Sequence, residues 1–512
     1  MLSRVHSLGL RGVEGFPVIV ELDLTGGLPA FSTVGLPDNV VKEARERVSA
    51  AVRNSGFKFP SRRITVNLAP ARPRKEGSHY DLPIALALLS ASGQVEMIAD
   101  AKEWCFVGEL SLDGRIRPVP GVLAMAVRAR AEGWNAIIVP EENAVEAAAS
   151  GLRAVPVGDL REAVALLGGA CARTVSAGAT VSGVKPPIGD LSDVRGQSAA
   201  KRALEIAAAG GHNLLLVGPP GTGKSMLAHR LPGLLPAMSK AESIEVTKVQ
   251  SACGRPVSGG LVQERPFRAP HHSCSTAALV GGGPTARAGE ICLAHGGVLF
   301  LDELAEFHRP VLEALRQPLE DRCVRIARAK ETLEYPARFL LVAATNPCPC
   351  GWRGHPRRDC TCDAHQVARY LGRLSGPLLD RIDLQVETPA VDFGDWVADD
   401  VLSNAAGDVQ ARIERAREGQ RRRLGDGPAA LNAFVPILDI RRHARLSPEG
   451  IAVLAAAERT AAMSARALDR VVRVARTIAD LGGAQTVAPV HLTEALQYRA
   501  VDRLRSLLEG TR

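Results

Sequence analysis

Eight consecutive residues, Gly218-Pro219-Pro220-Gly221-Thr222-Gly223-Lys224-Ser225, constrain this chain more than any other stretch. They fill every fixed position of the phosphate-loop pattern G-x-x-x-x-G-K-[ST]. That pattern needs a strand before it and a helix after it. Asn213 to Val217 is a short apolar run suited to a buried parallel strand, and Met226 to Leu231 continues as a helix. In this setting the glycines let backbone amides approach phosphate oxygens, and the helix N-terminus adds partial positive charge. Lys224 then reaches the outer phosphates and Ser225 can ligate Mg2+. A second half-site follows in Gly297 to Glu303, an apolar run ending in two carboxylates. At the carboxyl end of a strand beside the loop, Asp302 would hold the Mg2+ shell and Glu303 would polarise the attacking water. Together the half-sites imply binding and hydrolysis of ATP.

A chain of 512 residues has room for about three domains, each with its own core. Aromatic residues make up only 4%, so those cores are built from Ala, Val, Leu and Ile. The net charge of +8 permits a polyanionic partner without identifying one. No apolar run approaches the ~18 residues of a membrane span, and the N-terminus lacks the features of a signal peptide. A cytoplasmic protein with no membrane partner is expected. In that compartment the ten cysteines argue against a disulfide framework, so a Cys cluster is read first as a metal or redox site.

Taken in order, residues 1–172 alternate between strand-like and helix-like patterns, as an α/β domain does. Strands are expected at Val18 to Leu24, Arg63 to Leu68, Trp104 to Leu110 and Ala136 to Pro140, with helices at Asp38 to Val52, Leu82 to Leu89 and Val122 to Glu132. Residues 173–189 read as a linker rich in Ser, Thr, Gly and Pro. Residues 190–390 carry the phosphate loop in a parallel-sheet core, and 391–512 are helical. In this last part, helices are expected at Ile451 to Thr460, Ser464 to Leu481 and Val490 to Leu508. Ala411 to Arg423 forms an Arg-rich helix, read as a solvated face.

Cys348, Cys350, Cys360 and Cys362 form two CxC pairs with His355 and His365 nearby. Four thiolates so close in sequence can close a tetrahedral Zn2+ site, although CxC is less typical of such knuckles than CxxC. Free or buried thiols and an iron–sulfur cluster stay open as alternatives. Asp321 to Tyr335 reads as a hairpin whose tip carries Arg328 and Lys330, suited to gripping DNA phosphates or simply solvated.

Two resemblances extend these readings. Lys75-Glu76-Gly77, Val107 to Ile116 and Ala136 to Pro140 resemble the proteolytic domain of the Lon protease family, which implies the ribosomal S5 domain 2-like α/β fold. That family needs a nucleophilic Ser and a Lys. Here Tyr80-Asp81 stands near the first position, with Ser78 offset, and Leu123-Ala124 stands at the second. A Ser without a base has no route to a usable alkoxide, which argues against proteolysis and leaves an assembly or DNA-interaction platform. Further along, Arg268 to His272, Ala277 to Gly283, Leu315 to Glu320 and Asn346 to Gly351 resemble magnesium-chelatase-type AAA+ ATPases. The whole chain resembles the ComM-type (YifB-like) competence proteins.

The second resemblance implies an AAA+ core with a C-terminal helical lid, assembled as a hexameric helicase. Its role would be to promote branch migration on single-stranded and branched DNA, with recombination proteins as partners. Val194 and Gln197 then line the adenine pocket, Asn346 contacts the γ-phosphate or the attacking water, and Arg381 reaches a neighbouring subunit's ATP. Arg466 would be a second sensor arginine, with Arg470 one turn on as the reserve. The competing readings are a metal-insertion ATPase of tetrapyrrole synthesis, which lacks such a Lon-like front, and a remodeller of protein partners.

Overall fold

The computed structural model describes residues 1–98, 103–175, 191–255, 257, 259–283, 287–327, 332–391, 406–427, 430–461 and 463–499. They form two compact units. The first comprises Met1–Gly183, Met238–Gln263 and Ala327–Tyr335, and the second Val184–Ala237, Glu264–Ile326 and Pro336–Arg512.

The first unit is built on a seven-stranded sheet of β1 (Leu2–Arg11), β2 (Glu14–Thr25), β3 (Ala30–Val34), β4 (Arg63–Ala69), β5 (Trp104–Phe106), β6 (Ala136–Pro140) and β7 (Arg153–Val157), in the order β3-β4-β2-β1-β5-β6-β7. Alternation decides the faces: Val18, Val20, Leu22 and Leu24 of β2 are buried, and the residues between them are only half-buried. Asp38 caps the helix Asn39–Asn54 by accepting from the Val41 amide at 2.7 Å. This helix buries the stripe Val41, Ala44, Val48, Ala51 and Val52. The helix Asp81–Ala91 is apolar and buried almost all round, packed on β1, β2 and the first helix. Asp81 is ionic within it and takes a bidentate Arg47 pair at 2.6 and 2.9 Å.

The strand expected from Trp104 to Leu110 is divided. After Phe106 the chain leaves the sheet, because the Gly108 amide donates to His79 O at 3.0 Å and Gly108 O accepts from the Leu82 amide at 3.1 Å. Pairing resumes only at Glu109–Leu110. The helix Lys240–Ala252, which follows the phosphate-loop helix in sequence, belongs to this unit. Ser251 Oγ accepts from the Gly121 amide at 2.8 Å, and Lys248 pairs with Glu14 at 2.7 Å.

The second unit holds a five-stranded, all-parallel sheet: β8 (Leu214–Val217), β9 (Phe267–Arg268), β10 (Val298–Leu301), β11 (Leu340–Thr345) and β12 (Leu384–Glu387), in the order β9-β10-β11-β8-β12. Strands β8, β10 and β11 are buried along their whole length, as parallel strands covered on both faces must be. The helices Ser198–Gly210, Lys224–Leu234, Ala406–Leu424 and Ala465–Leu481 share one core with the sheet. Ser464 caps the last of these from outside by accepting from the Ala467 amide at 3.2 Å.

The Arg-rich helix differs from a merely solvated face. Arg412 pairs with Glu205 at 2.6 Å, Arg417 donates to Ala208 O at 2.7 Å and Arg423 pairs with Asp480 at 2.8 Å. Three of its arginines thus dock it on its neighbours while their stems cover apolar surface. The closing helix runs Pro489–Gln497, and the rest of the expected Val490 to Leu508 helix, from residue 500, lies outside the described residues. So does most of the expected linker. Among the described residues no helix is long and apolar enough to cross a membrane.

The first unit also carries an acid-sensitive group. His79 is buried and stacks on Tyr80 at 4.1 Å, and burial holds its imidazole down to about 4, against a Leu8 backbone bond that acts the other way. The folded state therefore binds fewer protons than the unfolded one. Its contribution to stability is complete above pH 6.5 and is lost as the pH falls towards 4, by up to about 3 kcal/mol. Urea titration of hydrogen exchange in peptides covering residues 81–91 should show this loss between pH 7 and 4.5. His79→Gln should flatten that pH dependence, and an unchanged slope would assign it to other groups.

Candidate nucleotide site

Strand β8 ends at Val217, and the phosphate loop turns from it into the helix Lys224–Leu234. The loop begins at a position only glycine can occupy: a Cβ on Gly218 would stand 2.2 Å from both the carbonyl oxygen and Oγ1 of Thr388. Thr388 in turn donates its amide to Val217 O at 2.8 Å, fastening the end of β12 against the loop. Thr222 Oγ donates to Pro219 O at 3.0 Å across the loop's interior.

The charged groups gather at this carboxyl end of the sheet. Lys224 Nζ donates to Gly218 O at 2.7 Å, to Pro219 O at 2.8 Å and to Asn346 Oδ1 at 3.3 Å. Burial holds its ammonium below the usual lysine range, opposed by Asp302 and Glu303. Ser225 Oγ donates to Asp302 Oδ2 at 2.7 Å, so the hydroxyl and carboxylate expected around Mg2+ already meet. The Glu303 amide donates to Asp302 Oδ1 at 2.9 Å. Glu303 itself adopts a left-handed backbone, φ +52, and its half-exposed carboxylate lies 3.1 Å from His272 Nδ1. A left-handed glutamate is strained, and here the turn aims the carboxylate away from the strand towards that imidazole.

Gln197 and Val194 also abut the loop. Gln197 Nε2 donates to Pro389 O at 2.7 Å and to Thr222 O at 3.2 Å, and buried Val194 lies beside Gly223. The residues present fit a nucleoside triphosphate with Mg2+: a glycine-lined turn at a helix N-terminus, an ammonium held inside it, and a hydroxyl–carboxylate pair at its rim.

Arg381 and Arg466 are elsewhere. Both line a cavity of about 280 Å³ at the amino-terminal edge of the sheet, together with Arg322, Arg470, Arg473 and Phe434. Arg381 stands just before β12 and pairs with Glu320. Because β8 and β12 run parallel, this edge and the phosphate loop lie at opposite ends of the same strands.

The four cysteines converge directly after Asn346. Cys348 Sγ lies 3.4 Å from Cys350 Sγ and 3.6 Å from Cys360 Sγ, and Cys350 and Cys360 are 3.6 Å apart. All four sulfurs fall within 4.8 Å of one another. A tetrahedral Zn2+ with Zn–S bonds of ~2.3 Å sets its sulfurs about 3.8 Å apart, so the set fits that ion closely. The Trp352 amide, against burial and with the Thr361 amide, lowers the Cys350 thiol, whereas burial raises that of its neighbour Cys348. Gly351, in the middle of this knuckle at φ +81, packs against the phosphate loop: a Cβ there would stand 2.7 Å from Pro220 Cδ. Cys323–Ala327 and Thr332–Pro336 are strands of a two-stranded sheet, and Arg328 and Lys330 between them lie outside the described residues.

In the first unit no Ser–Lys pair forms among the described residues. Ser78 Oγ donates to Glu109, buried Lys75 donates to Pro70 O, and Leu123 and Ala124 are buried in the core. Sequence reasoning assigned no role to His272, Thr388 or Arg322. The Pro270-His271-His272 run after β9 was the one available signal for the first.

Known families and proteins match the chain along its length. Magnesium chelatase, subunit ChlI, matches residues 190–396, a ChlI family of Mg-chelatase matches 20–143, and the ChlI C-terminal family matches 403–499. The chain is 45% identical over 507 residues to the uncharacterized protein YifB of Escherichia coli, covering 98% of each. It is 44% identical over 516 residues to the competence protein ComM of Haemophilus influenzae, covering 99% of each. Lon protease of Trichlorobacter lovleyi is 25% identical over 146 residues, which are 27% of this chain and 18% of that protein. An AAA+ core of magnesium-chelatase type, a Lon-protease-like N-terminal region and a helical C-terminus on these terms make the chain a member of the YifB/ComM family.

Proposed function

We propose that this chain hydrolyses ATP as a hexameric ring, each copy completing its neighbour's nucleotide site, and uses the cycle to move DNA strands. One observation carries the reading. Lys224, Ser225, Asp302 and Asn346 meet at the carboxyl end of the sheet, while Arg381 and Arg466 line a cavity at the opposite edge. One copy's arginines cannot serve its own phosphate loop, so they serve another's.

In this reading Lys224 turns from the loop carbonyls to the outer phosphate oxygens. Ser225 and Asp302 would hold Mg2+, which would supply positive charge to offset that of the phosphates. Glu303 accepts the proton of the attacking water at its carboxylate, which His272 orients, and Asn346 fixes that water's position. Arg381 of the next copy stabilises charge developing on the transferred group, with Arg466 beside it. Val194 and Gln197 border the base. The four cysteines hold a structural Zn2+, which when bound crosslinks the segment between Asn346 and Arg381. Arg328 and Lys330 contact DNA phosphates without regard to sequence. The likeness to the competence protein ComM of Haemophilus influenzae supports a role connected with competence. In this reading the motor acts on incoming DNA as a helicase that promotes branch migration during recombination.

Four outcomes are expected. Glu303→Gln should keep ATP binding and lower turnover about a hundredfold or more, whereas Lys224→Ala should lose both. Single-stranded and forked DNA should raise wild-type turnover, and the double variant Arg328→Ala, Lys330→Ala should lose that stimulation. If DNA neither binds nor alters turnover, the motor reading fails and a protein partner takes its place. Gly218→Ala should weaken binding of a fluorescent ATP analogue at least about tenfold, because its methyl group collides with the Thr388 backbone. Finally, metal analysis of the purified chain should find one zinc per copy, lost in Cys360→Ser, Cys362→Ser.

A further inference from the structure

The arginine-lined cavity holds a cation that the reading above leaves unused. Arg470 is engaged by Asp383 at 2.8 Å and Arg381 by Glu320, but Arg322 has no carboxylate partner among the described residues. Arg322 ends the helix Arg316–Asp321 at φ +56, with its amide donating to Pro318 O at 3.0 Å. This is the left-handed helix-ending position that favours glycine. An arginine here is strained, and strain kept at a charged residue on a cavity wall points to work for its side chain.

The side chain is also held ready. Its guanidinium lies over the Phe434 ring, 3.6 Å from the centroid, which fixes its plane and leaves the edges of the fork free to donate. Burial, with Arg473 and Arg338 adding to it, lowers this guanidinium to about 10, so the surroundings lack the anion that would balance it. The Nε atoms of Arg381 and Arg473 are buried in the same region without a hydrogen-bond partner. Glu320, on the helix that Arg322 ends, already puts one exposed carboxylate against Arg381. An anion is thus accommodated here, and donors remain over.

We propose that Arg322 is a third arginine offered to the terminal phosphates of a nucleotide bound by a second copy of this chain, beside Arg381 and Arg466, with Glu320 as the carboxylate that gives way. The inference rests on the ring reading above and adds a residue to it.

The test uses full-length protein. Arg322→Gly removes the guanidinium and relieves the left-handed strain, so its melting temperature should hold or rise. Binding of a fluorescent ATP analogue should stay at the wild-type level, while hydrolysis falls about tenfold or more. Arg322→Asn, which also tolerates this backbone, repeats the test should the glycine variant fold poorly. Mixing then identifies the copy that supplies the arginine. Lys224→Ala protein has intact arginines and no working loop, so adding it to Arg322→Gly protein should restore hydrolysis above the sum of the two alone. Arg381→Ala with Lys224→Ala is the control. Rescue in the control without rescue of Arg322→Gly, or wild-type turnover by Arg322→Gly, overturns the inference and leaves the ring reading standing. No rescue in the control removes both.

Discussion

The sheet of the nucleotide-binding unit is tied at its amino-terminal edge by a knot of buried polar groups, and both halves of the proposed chemistry hang from it. The Asn213 carbonyl accepts from the amides of Asp383 and Leu384 at 3.1 and 3.0 Å, its Oδ1 accepts from the Leu341 amide at 3.0 Å, and its Nδ2 donates to Arg381 O at 2.9 Å. One residue, through its backbone and its side chain, thereby sets the start of β8, β11 and β12 in register. Asp383 extends the knot to the C-terminal helices through Arg470 at 2.8 Å and His212 at 3.2 Å, and His212 passes it on to Thr477 at 2.8 Å. Burial alone would raise this carboxyl, but the His212 bond and the nearby Arg470 and Arg473 outweigh it and hold Asp383 at about 2. Such a carboxylate stays charged across the physiological range. Removing one partner of a buried pair like this costs about 3–5 kcal/mol, so the knot cannot be rearranged cheaply.

That rigidity has a functional consequence. Parallel strands of four to six residues span only about 13–20 Å, yet they keep the phosphate loop and the arginine cavity at opposite ends. A hinge within one copy would have to break the knot to bring Arg381 to Lys224. Contribution by a second copy needs no such rearrangement. It asks that Arg381 leave the Pro377 carbonyl and Glu320, whose own carboxylate is exposed, which is a smaller change than breaking the knot. The stiff element and the smaller change therefore favour the same arrangement: rigid copies whose sites are shared between them.

How much of this was legible in the sequence differs by the range of the interaction. Gly218 to Ser225 and Asp302 could be paired because a phosphate loop and a carboxylate-ended strand each announce their geometry locally, and the fold brings Ser225 and Asp302 to 2.7 Å. The buried strands were equally plain, since Leu214 to Val217 and Leu340 to Thr345 are apolar throughout. Arg466 was recognisable at the start of a helix, but no local pattern says which end of a sheet that helix start will face. His272 lay in a short irregular run whose meaning depends on Glu303, about thirty residues away, turning left-handed. Arg322 was hidden for the opposite reason: glycine is the usual signal of a left-handed cap, and an arginine there does not look like one. The membership of Lys240–Ala252 in the first unit was also invisible, because its docking depends on single contacts such as Ser251 with Gly121.

The cysteine knuckle joins these themes, since it lies between the two ends of the site in sequence and touches one of them in space. Asn346 leaves β11 and enters the knuckle within two residues, and Gly351 rests on Pro220 of the phosphate loop with no room for a methyl group. The chain between Asn346 and the helix Ala364–Leu371 contains little regular structure, so its shape depends on what holds the four sulfurs together. Thiolates within 4 Å of one another repel unless a cation or protons sit among them, and their position decides where Gly351 presses on the loop. A metal here would do no chemistry on phosphate. It would fix Asn346 and Pro220 relative to Lys224, and the ordering of this short segment would then be part of what makes the nucleotide site competent.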